Sequence, residues 1–238
     1  MANWKWLAVA VVLGGAGIVW AANDVGERMP LREDVEAMLA DLPGAADFAV
    51  QSPVREAIEA GREEEAREML RFRPLAEAPV PEGFPPYTPV GVIEVKQYPA
   101  YRKAVGPSFW PLFQHIQAES IPMTAPVEMT GANRQADGDQ PMAFLYQNTG
   151  VGQVGPAGDV AVEDNTESTA VSLGVRGRMS SAVVKDARQR LEAWLADHPE
   201  YQAASDEPLR LFGYNSPMVP DDQKYWEAQL LIEPVAGE

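Results

Sequence analysis

The chain has 238 residues, of which 46% are apolar, enough for one domain of ordinary size or two small ones with a substantial core. Acids outnumber bases 35 to 19, and the formal charge of -16 repels nucleic-acid phosphates unless a basic patch intervenes; none is visible in the sequence. There is no cysteine and there are two histidines, His115 and His198, so disulfides, thiolate metal sites, cysteine nucleophiles and multi-histidine metal centres are excluded.

Residues 7–22 carry no charge, with Trp4, Trp6 and Trp20 at their two ends and Asp24 just beyond. A helix of that length spans about 24 Å against a hydrocarbon core of about 30 Å. Residues 1–22 therefore read as a membrane signal anchor or a cleavable signal peptide, a transmembrane helix or a processed one. Lys5 before the apolar run and acids after it place the bulk of the chain outside the cytoplasm. The expected location is the cell envelope: anchored in the inner membrane with the domain in the periplasm or outside, or secreted to the periplasm if cleaved.

Residues 23–73 read as an acidic helical spacer, rich in Glu and Arg, that stays mostly solvated and holds the domain off the membrane. Ser52-Pro53 has the form of an N-cap followed by proline at the first helical position, and Gly61 weakens the helix that follows. Pro74, Pro79, Pro81, Pro85, Pro86 and Pro89 then favour an extended connector, and residues 74–86 are assigned as a proline-rich linker.

From residue 87 to 238 the hydrophobic period switches between two and 3.6. Residues 90–105 read as strand with a break at Pro99. Phe109, Leu112, Phe113 and Ile116 then form one helical stripe, which Ser108 can cap and which tolerates Pro111 in its first turn. Two short strands follow, at 127–130 and 142–146. Residues 147–168, rich in Gly, Asp and Asn, read as a mobile connecting loop. The order then repeats: a half-buried strand through Val171, Leu173 and Val175, a helix with the stripe Val184, Ala187, Leu191, Trp194 and Leu195, and strands at 209–214 and 225–232. Two βαββ repeats predict a pseudo-symmetric α+β domain with two helices.

Serine-hydrolase, P-loop and dinucleotide signatures are absent and no acid pair is singled out, so no catalytic constellation is visible. Two proline-braced segments stand out instead. Ile121-Pro122-Met123-Thr124-Ala125-Pro126-Val127 and Tyr214-Asn215-Ser216-Pro217-Met218-Val219-Pro220 have stiff backbones that can hold side chains around a pocket.

With Ile93-Glu94-Val95-Lys96-Gln97-Tyr98, Phe113-Gln114-His115-Ile116, Gly213-Tyr214 and the strand from Trp226 to Ile232, these segments resemble the SOUL haem-binding protein family over about residues 87–234. The resemblance implies a distorted antiparallel β-barrel-like domain with two flanking helices, and haem or a related tetrapyrrole as ligand and cofactor. It places a shallow apolar groove at Phe109, Phe113, Met123, Tyr214 and Met218, with Lys96, Arg102 or Lys103 near the propionates. The axial histidine proposed in some members falls on Gln97, a poor iron ligand. His115, His198, Met123 and Met218 are the other donors, and no metal ligand is assigned. The implied function is a carrier, buffer or sensor of haem; apart from the resemblance, the apolar N-terminal run predicts membrane contact and the acidic charge predicts no nucleic-acid partner. The alternative is an envelope module that binds another apolar ligand or a protein partner without haem.

Overall fold

The computed structural model describes residues 49–130, 141–204 and 209–235. The expected membrane or signal helix at 1–22 lies outside the described residues. Among the described residues no helix is long and apolar enough to cross a membrane.

The described residues begin with β1 (Ala49–Gln51) and two short helices, α1 (Pro53–Glu59) and α2 (Glu63–Met69). Ser52 is the N-cap of α1 and Pro53 its first residue, as the local sequence predicts. Gly61, at φ 71°, closes the helix: its N–H reaches Ile58 O and that of Arg62 reaches Ala57 O, so glycine terminates the helix here. Val54, Ala57, Ile58, Ala66 and Leu70 pack into a small core of their own, whereas composition predicts a mostly solvated spacer.

The body is one antiparallel sheet. Its strands are β2 (Ile93–Tyr98), β3 (Tyr101–Gly106), β4 (Val127–Thr130), β5 (Met142–Leu145), β6 (Gly155–Ala157), β7 (Val160–Asn165), β8 (Ser168–Arg176), β9 (Tyr201–Ala203), β10 (Leu209–Gly213) and β11 (Tyr225–Pro234). The order is β1-β2-β8-β11-β10-β4-β5-β3-β7-β6, with β9 on the end of β11. The sheet does not close: β1 and β6 are its two edges, so the barrel-like expectation is corrected to an open sheet. The chain breaks at Pro99, so β2 pairs with β8 of the second half while β3 pairs with β5 and β7, and among the described residues no pairing joins the edge strands β1 and β6.

Residues 155–165 form the hairpin β6–β7 where Gly and Asp suggest loop. Gly158, at φ 65°, makes the turn, and Val160 and Val162 alternate into the core.

Helices α3 (Phe109–Ala118) and α4 (Ser181–Ala196) lie on the same face of the sheet. Leu112 and Ile116 of α3 pack on Ala104, Phe144 and Val162; Val184, Ala187 and Leu191 of α4 pack on Val171, Leu173, Leu211, Ala228 and Leu230. Four helices are present among the described residues: α1 and α2 in the segment 23–73 expected to be helical, and α3 and α4 as the two flanking helices expected of residues 87–238. Ser108 is the N-cap residue of α3, but its hydroxyl makes no capping bond; Ser180 of α4 does accept from Val183 N.

The opposite face is also buried, and this is the main departure from the half-buried strands expected. There Glu94, Lys96, Ser172, Glu227, Gln229, Arg210 and Glu128 lie beneath Phe84, Tyr87 and Thr88, with Tyr98, Tyr101, Phe212, Tyr214 and Tyr225 around them. Residues 74–88 run across this face, and Phe84 stands edge-on to Tyr98 and Tyr101 with centroids 5.2 Å away from each.

Candidate functional site

The first proline-braced loop grows out of α3. Ser120, at φ 55°, ends the helix, and Ile121 N bonds back to Ile116 O at 2.8 Å. Thr124 Oγ1 then donates to Leu145 O at 2.6 Å, and Ala125 N to Pro79 O at 2.9 Å, so the loop is fixed at both ends to other segments.

Beside it α3 presents three aromatic rings. Phe109 and Phe113 stack with centroids 5.6 Å apart and planes 16° from parallel, Trp110 meets both edge-on, and Phe109 rests edge-on against Phe144. Phe109, Phe113 and Met123 are half-buried members of one cluster, whereas Trp110 is 49% exposed. A stacked pair floored by core with an exposed indole beside it is a surface to which a flat apolar ring can bind.

The second loop does not complete that surface. Tyr214 is buried in the other cluster, with Phe84 and Tyr225, and Met218 is 63% exposed. Asn215 Nδ2 donates to Leu75 O, while Ser216 donates its N–H and hydroxyl to the Glu77 carboxylate at 2.6 and 2.9 Å. Residues 75–84 thus tie to both loops and fill the space on the inner face with Ala76, Ala78 and Phe84. The single groove expected from the sequence is therefore divided: Phe109, Phe113 and Met123 come together, and Tyr214 and Met218 belong elsewhere.

The three cations expected near an anionic ligand are all engaged. Lys96 is fully buried, with Nζ 3.1 Å from both carboxylate oxygens of Glu227 and 3.0 Å from Thr88 Oγ1. Lys103 reaches Glu128 at 2.7 Å and Glu163 at 3.5 Å. Arg102 forms a two-pronged pair with Asp164 and donates to the carbonyls of Val151 and Gly152. The Asp164 hydrogen bond holds the Arg102 guanidinium above its ordinary value, and the same bond draws the Asp164 carboxyl below its own.

The inner face is a closed polar network. Burial pushes the Glu227 carboxyl up, but the Lys96 charge and the hydrogen bonds from Thr88, Lys96 and Tyr225 outweigh it, and the net displacement is downward. Burial, then the Glu227 charge, pushes the phenols of Tyr98, Tyr214 and Tyr225 well up, so they stay neutral. Gln229 Nε2 donates to Glu227 Oε2 at 2.7 Å and to Tyr98 Oη at 2.6 Å. These groups lie buried beneath the covering segment and leave no reacting atom open to a substrate; Arg210 Nη2, buried among them, has no hydrogen-bond partner among the described residues.

Gln97 is exposed on β2, its side chain on the strand face opposite Lys96. His115 is half-buried, its Nε2 2.7 Å from Tyr146 Oη. His198 Nδ1 is 2.6 Å from Trp194 O and its ring stacks on Trp194 at 3.7 Å, the helix-end contact its place in the sequence predicts. Neither histidine stands on the α3 aromatic face. The donor set thus fits the flat body of a tetrapyrrole and singles out no axial ligand for its iron. Among the described residues no group of three His, Asp or Glu is placed to hold a metal ion.

Sequence reasoning left out Trp110 as part of the surface, although its place between two stripe phenylalanines was the signal. It also left out Glu227, whose alternation with Tyr225 and Gln229 marks a polar strand face.

A family model described as SOUL heme-binding protein matches residues 86–227. No curated protein matches the chain. Among solved structures, the crystal structure of the EcmrR C-terminal domain is similar with a TM-score of 0.46 at 16% identity, over 60% of this chain and 98% of that one. The crystal structure of a hydrolase from Listeria innocua is similar with a TM-score of 0.43 at 12% identity, over 62% and 94%. The structure of SAV2435 bound to tetraphenylphosphonium has a TM-score of 0.34 at 9% identity, over 59% and 93%.

Proposed function

Because this chain belongs to the SOUL heme-binding protein family, we propose that it binds haem or a related tetrapyrrole on the aromatic surface of α3, as a carrier, buffer or sensor. The observation that carries this reading is the stacked Phe109–Phe113 pair with Trp110 exposed beside it. The macrocycle lies on these rings with Met123 at its edge, held by apolar burial and polarizable contact. With Lys96, Lys103 and Arg102 already paired, its propionates point to water. The apolar run at 7–22 keeps the domain at the envelope membrane, facing away from the cytoplasm; a mass for the exported protein that includes residues 1–21 supports the anchor.

Titration of the full chain with haemin tests the ligand. A saturable Soret shift is expected, and Trp110→Ser weakens binding about tenfold, or ~1.4 kcal/mol, while Met218→Ala leaves it unchanged. No shift at excess haemin removes the haem reading and leaves the binding of another apolar ligand or a protein partner. A shift insensitive to Trp110→Ser removes the α3 surface.

A further inference from the structure

Nine methionines and no cysteine make thioether sulfur the softest donor in this chain, and three of those methionines meet between its two halves. On the helix-bearing face of the sheet, α3 packs over β3, β5 and β7, and α4 over β8, β10 and β11. The seam between them runs along the paired strands β10 and β4. Met129 of β4 and Met142 of β5 are register partners on the face that also carries Val127 and Phe144, so their side chains leave the sheet next to each other. Met179, in the turn before α4, reaches the same place. A Cβ on Gly213 of β10 would stand 3.0 Å from Met129 Cε and 3.9 Å from Met179 Cε. Two thioethers thus close over the bare backbone of one glycine, with a third beside them. All three methionines are half-buried, largely out of water yet within its reach.

Methionine fills gaps in many cores, but two features of this seam go beyond filling. Trp226 lies directly opposite Gly213 on β11, 2% exposed, and its Nε1 has no hydrogen-bond partner among the described residues. A leucine or phenylalanine would fill an apolar seam without leaving a buried donor unpaired, whereas an indole adds the best aromatic partner for a cation. The second feature is that the donors are neutral. The charged side chains of the same strands, Glu128, Arg210 and Glu227, belong to the buried polar face on the other side of the sheet. Calcium and magnesium take oxygen ligands, and zinc takes thiolate, imidazole or carboxylate. Thioethers select soft ions instead, and a single positive charge is the least costly to bring among neutral, half-buried groups.

We propose that Met129, Met142 and Met179 bind a soft monovalent metal ion, Cu(I) or Ag(I), through their sulfurs. Silver is the first probe because it needs no reductant. The full chain, carrying 13C in its methionine methyl groups, is titrated with silver nitrate in chloride-free buffer. The Met129, Met142 and Met179 methyl signals are expected to move together and saturate near one equivalent, with quenching of tryptophan fluorescence at the same point. Cu(I), added with a reductant and without oxygen, moves the same three signals. Met129→Leu and Met179→Leu, which nearly conserve volume, weaken silver binding tenfold or more, whereas Met218→Leu leaves it unchanged. The proposal is overturned if the three signals stay fixed through several equivalents of silver, or if the two seam variants bind within twofold of the native chain. The native chain's methyl signals decide the matter should a variant fail to fold. Phe109, Phe113 and Trp110 supply no donor to this site, so its failure is distinct from failure of the α3 reading.

Discussion

At the scale of single residues, the buried pair Lys96–Glu227 decides most. Two charges out of water are tolerated because Thr88, Ser172, Tyr225 and Gln229 surround them with hydrogen-bonding groups. Glu227 sits below its ordinary value in the fold, so its contribution to stability is whole above the usual carboxylate range and is lost as pH falls through the folded value. Removing the ammonium with Lys96→Met reverses that sign. Burial is then uncompensated, the carboxyl moves up, and the strain is relieved on acidification. Lys96→Met is expected to cost about 3–5 kcal/mol near neutral pH, with a smaller gap from the native chain near pH 5. Urea midpoints at the two pH values check this, and a gap that stays constant or widens contradicts the pairing. Lys96 also shows the limit of reading one chain. The sequence offers this lysine as a partner for an anionic ligand, and the covering by residues 74–88 makes it internal instead.

Whole elements meet closely where residues 88–92 cross β8. Gly91 N donates to Gly174 O at 2.8 Å, and Gly174 N to Val92 O at 3.4 Å. A Cβ on Gly174 would overlap Thr88 O and come within 2.5 Å of Pro89 O. Both obstacles are main chain and cannot swing away. Gly174→Ala is therefore expected to cost about 3 kcal/mol or more and to speed exchange of the Thr88 amide, which is held by Glu227 Oε1 at 2.7 Å. Native protection at Thr88 in the variant would show that this crossing is not tight. The strands at 127–130, 142–145, 209–213 and 225–234 and both flanking helices were legible because period-two and period-3.6 stripes are local. The hairpin β6–β7 was not legible: its turn residues dominate its composition, and only two valines mark its core face.

For the molecule as a whole, the question is where the folded unit begins. Composition draws a linker at residues 74–86, since six prolines between 74 and 89 look like a connector. Proline content fixes backbone extension but says nothing of what an extended segment lies on, and here Leu75, Phe84, Tyr87 and Thr88 are buried against the sheet. The candidate site was legible in the same partial way. The α3 stripe gave Phe109 and Phe113, but the join between the two proline-braced loops depends on residues 75–84, which no local pattern connects to them. A chain starting at residue 71 keeps the covering segment and is expected to unfold cooperatively. One starting at residue 87 exposes Tyr98, Tyr101, Phe212 and the polar network together. It is expected to lose more than the ~3–5 kcal/mol of a single buried aromatic and to bind a hydrophobic dye such as ANS while retaining strand signal in circular dichroism. Equal denaturation midpoints for the two chains would mean that residues 71–86 are a passive tether after all, and that the inner face is stable without them.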